Sequence, residues 1–263
     1  MTRNWRSLAV LVAVLAASGA PVFAQDAPDD APEGVRFLPR YAFHLSGEHL
    51  SGDDPRLVWE ANYGGELDLI DYGSGRLTFA ANYQVLLGEE IRVFDPNQGN
   101  YLLEVAGSRR FSGVEVAGVF HHISRHLSDR AKTDPIDWNM VGLRARASIE
   151  HDRMAIDTRA DWRGVIQHSF VDYRWEVDAE VGVRVAVNQR VAVLSRGSVH
   201  MLGVDGSAER GTEAGFRLEG GVSLEGDAGA IELFTAVERR IDPIPFESST
   251  VTWTALGFRL VSR

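Results

Sequence analysis

The sequence predicts an all-β protein: an antiparallel up-and-down transmembrane β-barrel of about 12 strands that occupies residues 34–263. Three observations predict it. Apolar and polar residues alternate through a dozen consecutive runs, many of these runs are long enough to cross a bilayer at a tilt, and the gaps between them alternate between long and short. Long loops on one side and tight turns on the other are typical of bacterial outer-membrane barrels.

The first 33 residues are predicted to lie outside the barrel. Residues 1–24 have the pattern of a secretory signal peptide, with Arg3 and Arg6 before an uncharged apolar run and Ala24 at a cleavage site. The alternative, an uncleaved membrane anchor, is disfavoured because the run is shorter than the ~20 residues of a spanning helix. Residues 25–33 are acidic and proline-rich, which indicates a disordered leader.

Composition excludes several classes of protein. The chain has 263 residues, of which 44% are hydrophobic, so it is too apolar for a disordered protein. With 37 acidic against 27 basic residues it lacks the basic surface of a nucleic-acid binder, and without cysteine it is no disulfide scaffold. No glycine-rich phosphate loop or dinucleotide motif is present, so we expect no cofactor.

Period-two alternation defines the strands. In the clearest run, Tyr173 to Val187, aromatic and aliphatic residues occupy odd positions and most charges occupy even ones, which a strand places on opposite faces. The same pattern predicts strands, in chain order, near 39–48, 56–70, 75–87, 100–110, 113–125, 138–150, 153–166, 172–187, 189–202, 212–225, 229–240 and 249–261.

The gaps between these strands predict which end of the barrel faces outward. The odd-numbered gaps are long, at 50–55, 88–99, 126–137, 203–211 and 241–248, with one short exception at 168–170. The even-numbered gaps are tight, at 71–74, 111–112, 151–152, 188 and 226–228. We therefore expect the first set to be extracellular loops and the second to be periplasmic turns.

Alternation alone does not decide whether the apolar face meets lipid or a soluble core. Trp162, Tyr173 and Trp175 lie near strand ends on the apolar face, as in the aromatic girdles of membrane proteins. Strand length, loop asymmetry and signal peptide favour a barrel in the cell outer membrane, with charges lining the lumen. The expected partners are outer-membrane lipid or lipopolysaccharide and the barrel assembly machinery, although the last aromatic, Phe258, lies five positions before the end.

One segment, residues 119–139, has the residue types of a catalytic site. Parity places His122 and Ser124 on the apolar face of the fifth strand and Asp137 on that of the sixth, at the outer rim. A serine, a histidine and an acid form a hydrolytic relay in which the histidine takes the serine proton and the acid orients the histidine. On the lipid-facing wall this arrangement would suit an acyl ester in the outer leaflet, although a bulge near Ser124 would reverse the parity.

Further polar residues surround this segment. His121, His126 and Asp129 are candidate binding residues, but the spacing of the histidines does not predict a metal site. The structural alternative is that these histidines hydrogen-bond to water and lipid headgroups, and that the acidic residues solvate an exposed loop.

The arrangement His-x-Ser at the outer rim, followed by an acid on the next strand, resembles the lipid A deacylase barrels. The resemblance implies His122 as the base, Ser124 as the nucleophile and Asp137 as the orienting acid. The chain departs from that family in having Arg125 after the serine, where those enzymes carry asparagine, an aspartate in place of glutamate, and twelve predicted strands in place of eight.

Residues 122–129 also resemble an uncharacterised outer-membrane barrel family with a His-x-Ser-Ser-His-Leu-Gly-Asp stretch, and depart from it at Arg125 and Ser128. That resemblance implies a location and no activity. The first interpretation is therefore a barrel with a structural, binding or narrow-channel role, and the alternative is an outer-leaflet lipid esterase. A soluble periplasmic barrel that binds an apolar ligand is a third, weaker one.

Overall fold

The computed structural model describes residues 34–128, 134–207, 209–244 and 246–262. In these ranges the chain forms one closed barrel of 12 antiparallel strands in sequential order, which confirms the predicted fold class. The predicted signal peptide, the predicted leader and Asp129 lie outside the described residues. No helix in the described ranges is long and apolar enough to span a membrane.

The strands run from 13 to 17 residues. In chain order they are β1 (Arg36–Leu50), β2 (Trp59–Asp71), β3 (Arg76–Gly88), β4 (Asp95–Phe111), β5 (Val114–Leu127), β6 (Ile136–His151), β7 (Met154–Ser169), β8 (Tyr173–Ala186), β9 (Val191–Val204), β10 (Glu213–Glu225), β11 (Gly229–Ile241) and β12 (Thr250–Ser262).

The alternation of long and short connections is present as predicted. The turns at 72–75, 112–113, 152–153, 187–190 and 226–228 lie at one end, and the longer connections lie at the other, with 170–172 the short exception. At one of the two two-residue turns, Ser112 and Gly113 both have positive φ, 39° and 87°, as a hairpin turn that matches the strand twist requires. We call these two ends the turn end and the loop end.

The two faces of the wall differ as the alternation predicts. Apolar side chains such as Leu218 and Leu256 project outward and are exposed, whereas charged ones point into the lumen and are buried. Trp162 and Trp175 follow the outward face, but the prediction for Tyr173 was wrong. A register shift between Tyr173 and Trp175 turns the tyrosine into the lumen, where its hydroxyl lies 2.8 Å from Oδ2 of Asp242.

The lumen is filled by arginine–carboxylate networks. Arg144 is nearly fully buried and bonds Glu104 on one side and Asp161, at 2.7 Å, on the other. Arg217 joins Glu48 to Glu238 in a second network. Arg240 shares Glu238 with it and Arg259 shares Glu219, whereas Arg76 pairs with Asp68 in a third network. Most charges on the inner face have an opposite charge within reach, which compensates for their burial.

An apolar cluster lies inside the barrel near the loop end. We call it the upper cluster; its members are Ile136, Trp138, Met140, Tyr173, Leu202 and Ile241.

Candidate functional site

A polar cluster lies on the outer wall near the loop end of β5, β6 and β7. Strand β5 pairs with both neighbours without a register shift, so the predicted parity of His122 and Ser124 is retained. Both side chains, together with His126, therefore project from the outer wall toward lipid. Elsewhere in the described barrel the outer face of the strands is mainly apolar, with only scattered polar groups such as Arg109 and Arg239 near the strand ends.

The level of Ser124 in the wall is marked by a row of tyrosines. Tyr63 pairs with Tyr83, Tyr83 with Tyr101, and Tyr101 with Ser124 on four consecutive strands. The ring centroids of the first two tyrosines are 5.2 Å apart and those of the second pair 4.5 Å apart. Tyrosines in an outward row near a strand end are typical of the membrane interface. Ser124 therefore lies at the level of an interfacial girdle.

Ser124 is in direct contact with a histidine. Its Oγ lies 2.6 Å from Nε2 of His126, two residues further along β5 on the same face. The imidazole of His126 packs edge-on against Tyr101, with centroids 5.3 Å apart. Gly99, which pairs with His126, leaves room here, because a Cβ at this position would overlap the hydroxyl of Tyr83.

His122 has a different partner. Its Nδ1 lies 2.7 Å from Oδ1 of Asn139, the residue opposite it on β6. The amide nitrogen of Asn139 donates to Oε1 of Gln167, and Nε2 of Gln167 donates to the carboxylate of Asp137 at 3.2 Å. These four side chains form a chain of hydrogen bonds across β5, β6 and β7.

The direction of these hydrogen bonds determines which tautomer a neutral His122 adopts. An ionised carboxylate only accepts, so Gln167 must turn its amide nitrogen toward Asp137 and its oxygen toward Asn139. Asn139 then donates to Gln167 and presents its oxygen to His122. The proton of a neutral His122 consequently lies on Nδ1, which leaves Nε2 as an acceptor for a hydroxyl proton.

The predicted site residues fall into three groups. His122, Ser124, His126 and Asp137 are brought together on the outer wall. His121 is not: it points into the lumen, where its Nδ1 lies 2.9 Å from Oε2 of Glu104. Asp129 lies outside the described residues. The direct partner of His122 is the amide of Asn139 rather than Asp137, which reaches the histidine only through two amides.

Gln167 is a site residue that the sequence pattern missed. Counted from Trp162 on the outer face, an odd-numbered residue of β7 should point inward. A register shift between Asn139 and Met140 on β6, opposite Gln167 and Val165, reverses the parity of the end of β7 and brings Gln167 to the outside. Asn139, by contrast, could have been found from the sequence. It lies on the predicted outer face, and its amide is a hydrogen-bonding group next to His122.

The lumen contains one group with metal-ligand chemistry among the described residues. Glu176, Asp178 and His200 offer ligand atoms within 4.8 Å of one another. Arg163 already bonds both carboxylates, and Nδ1 of His200 lies 2.8 Å from Asp178. A guanidinium thus takes the place that a cation would occupy.

The closed barrel and its apolar outer wall define the protein as an outer-membrane β-barrel, and solved structures agree. The chain is similar to the outer membrane phospholipase OMPLA dimer with bound calcium from Salmonella typhi, with TM-score 0.53, 13% identity, and coverage of 84% of this chain and 90% of that one. Outer membrane phospholipase A from Escherichia coli gives TM-score 0.53, 12% identity, and coverage of 86% and 98%.

LpxR from Salmonella typhimurium is more distant, with TM-score 0.49, 9% identity, and coverage of 84% of this chain and 97% of that one. Comparison with models of known families and with curated protein sequences finds no match. The similarities therefore establish the fold and agree with the predicted location in the outer membrane.

Proposed function

We propose that this protein is an esterase that hydrolyses an acyl ester of a lipid in the outer leaflet, with Ser124 as its nucleophile. The observation that carries the proposal is the outward-facing serine, in contact with one histidine and two residues from a second whose Nδ1 is bound to an amide. Ionisable groups toward lipid are costly unless they lie at the interface, and the neighbouring tyrosine row supports an interfacial position for these groups.

His122 is the proposed base because its orientation is determined by Asn139. Residues two apart on one face of a strand are about 7 Å apart at Cα, so an imidazole at 122 reaches the serine hydroxyl much as His126 does. In the resting arrangement Ser124 bonds His126, and rotation about χ1 would turn Oγ toward Nε2 of His122. Histidine–amide pairs perform the same role in other hydrolases.

The reaction then follows the general scheme for acyl transfer. Nε2 of His122 takes the hydroxyl proton as Oγ attacks the ester carbonyl carbon, and the carbonyl oxygen becomes negative. When the ester bond breaks, the protonated histidine gives its proton to the leaving alcohol and an acyl-serine remains. Water, deprotonated by the same histidine, attacks the acyl-serine, and the acid is released with Ser124 reprotonated.

Two further observations support this function over a channel. The arginine–carboxylate networks and the upper cluster occupy the lumen, which argues against an open channel through the barrel. The proteins of similar fold include a phospholipase by name, and one solved form of it is an active-site mutant in which an asparagine is replaced by alanine. The similarity in sequence is too low to transfer that activity, but it suggests phospholipid as the first substrate to test.

The test compares the wild-type chain with Ser124→Ala. The purified proteins are added to detergent micelles that contain phospholipid or lipid A, and released fatty acid and residual lipid are measured by mass spectrometry. We expect release by the wild type from one of the two lipids, and a fall of at least about 10³-fold in the variant. Ser195→Ala is the matched control, because Ser195 also projects from the outer wall, on β9.

Two results would overturn the proposal: equal release by wild type and Ser124→Ala, or no release from either lipid by a folded wild-type barrel. The two histidines are separated in the same assay. The activity of His122→Ala should fall at least about 10²-fold. That of His126→Ala should fall less, because no amide orients His126. His49→Ala is the control, since His49 is an exposed outer-wall histidine on β1.

A further inference from the structure

A second candidate site lies inside the loop end of the barrel, on the opposite side of β5 from Ser124. It is a cavity of about 360 Å³ next to the upper cluster, lined by residues of β5, β6 and β8 and of the loops at 170–172, 205–212 and 242–249. Its volume lies in the range of small-molecule sites, roughly 300–1,000 Å³. Arg125, the residue after Ser124, lines this cavity.

Arg125 differs from the other arginines of the inner face. Within the described strands, every other inward-facing arginine forms an ion pair with a carboxylate, and Arg125 forms none. One of its terminal nitrogens donates to the backbone carbonyl of Asp242 at 2.8 Å. Its Nε is buried without a partner, and the guanidinium lies 5.2 Å from the ring centroid of Trp138.

The acidic residues of the cavity already have partners. Arg210 forms four hydrogen bonds with the carboxylates of Asp172 and Asp242, at 2.8 to 3.2 Å. The hydroxyl of Tyr173 also bonds Asp242, and Glu247 bonds Arg56 at 2.6 Å. Asp242 therefore offers Arg125 its carbonyl rather than its carboxylate, and the guanidinium of Arg125 keeps hydrogen-bonding capacity for an anion.

Apart from Ser207 and Ser248, the rest of the cavity wall is apolar, and it includes strained backbone. Phe170 and Phe246 are both more than half exposed and meet edge to face, with centroids 6.3 Å apart. They have φ of 57° and 64°, and Asp242 has φ of 47°. Residues other than glycine rarely adopt this left-handed conformation, and where they do they cluster at ligand-binding and active sites. Val171, Ile136 and Ile244 complete the apolar lining.

We infer that this cavity binds a small organic anion with one apolar group, such as a short aliphatic or aromatic carboxylate. The carboxylate accepts hydrogen bonds from Arg125, and the apolar group packs beside Phe170 and Phe246. A charged hydrogen bond in a partly desolvated site is strong enough to discriminate between an acid and its neutral amide.

The probe is benzoate, with benzamide as its uncharged equivalent, titrated calorimetrically into the full-length barrel in neutral detergent. We expect benzoate to bind at least about tenfold more tightly than benzamide, and Arg125→Gln to remove that preference. Arg239→Gln is the matched control: Arg239 also donates to a backbone carbonyl and forms no ion pair within the described residues, but it projects from the outer wall. Inorganic phosphate, an anion without an apolar group, should bind more weakly than benzoate.

A second variant protects the test from a folding defect at Arg125. Phe246→Ala removes an exposed ring and should weaken benzoate binding by about threefold or more, with the thermal unfolding midpoint unchanged. Ser124→Ala should bind benzoate as the wild type does, because Ser124 faces the other side of the wall. Equal binding of benzoate and benzamide, no binding of benzoate, or unchanged affinity in a folded Arg125→Gln variant would overturn the inference.

Discussion

The lumen and the outer-wall cluster use polar residues in opposite ways. In the lumen, Arg144 forms ion pairs with Glu104 and Asp161 that join several strands. On the outer wall, His122, Asn139 and Gln167 are joined by directional hydrogen bonds, and Asp137 is the one carboxylate in that chain. The first arrangement serves stability, because charges whose hydrogen bonds are all satisfied by partners hold the strands together. The second suits reactivity, because a histidine with one free ring nitrogen beside a serine can transfer a proton.

The largest expected effect is in the lumen. Arg144→Met removes the guanidinium that joins two buried carboxylates, Glu104 and Asp161. Among the described residues Glu104 then keeps only His121, and Asp161 keeps Arg159 and Arg163, so the free energy of unfolding should fall by up to about 3–5 kcal/mol. The measurement is urea unfolding of the barrel in lipid vesicles. Adding Glu104→Gln to this variant should recover part of the loss, since it removes a buried charge that has lost its arginine. A loss under about 1 kcal/mol would contradict the stabilising role assigned to the network.

The next effect tests the orienting amide of the outer-wall site. Asn139→Ala removes the acceptor for Nδ1 of His122 and should lower ester hydrolysis by about 10²-fold with little change in stability. Asn139→Asp keeps that acceptor and should retain most of the activity. Equal losses in the two variants would show that the site needs the amide nitrogen of Asn139, which donates to Gln167, rather than the oxygen that accepts from His122. Both are measured as kcat/KM on the lipid that the wild type cleaves.

A smaller effect is expected further along the chain of hydrogen bonds. Asp137→Ala frees Gln167 to turn its amide over, so His122 is no longer restricted to one tautomer. We expect activity to fall about 3- to 10-fold, because water and Asn139 still supply partial orientation. Gln167→Leu should give a similar loss, and combining it with Asp137→Ala should add little if the two act in series. Additive losses would indicate that Asp137 acts independently of Gln167.

The smallest effect lies in the loops, outside both polar regions. Asp54 accepts bonds from the backbone and side chain of Arg56, which also bonds Glu247 on another loop. These bonds lower the pKa of Asp54 below its ordinary value of 3.8. Stability from the depressed pKa is present above 3.8 and is lost as the pH falls through the lower folded value.

Asp54→Asn should therefore cost under about 1 kcal/mol at pH 7, since the pair is partly exposed, and less at an acidic pH where the carboxyl is protonated in both the folded and the unfolded state. The measurement is thermal unfolding of both proteins at the two pH values. A difference that persists unchanged at the acidic pH would assign the cost to packing rather than to charge.

The barrel was predictable because its signals are local and repeated. Alternation through each strand and alternation of connection lengths appear directly in the chain, and no long-range information is needed to see either. The outward or inward direction of two side chains was not predictable, because it depends on long-range pairing rather than on a local signal. The register shifts at Tyr173 and opposite Gln167 depend on how neighbouring strands pair, and each shift moves a side chain to the other face of the wall.

The candidate site divides in the same way. The sequence by itself determined that His122 and Ser124 share the outer face near the loop end and that His121 takes the opposite one, because side chains of a strand alternate. Only the tertiary structure decided that Asn139 rather than Asp137 bonds His122, that Ser124 meets His126, and that Arg125 lacks a carboxylate. Some of these partners lie on other strands, so strand register selects them. Others are one of two equivalent neighbours, or depend on whether a nearby carboxylate is already paired.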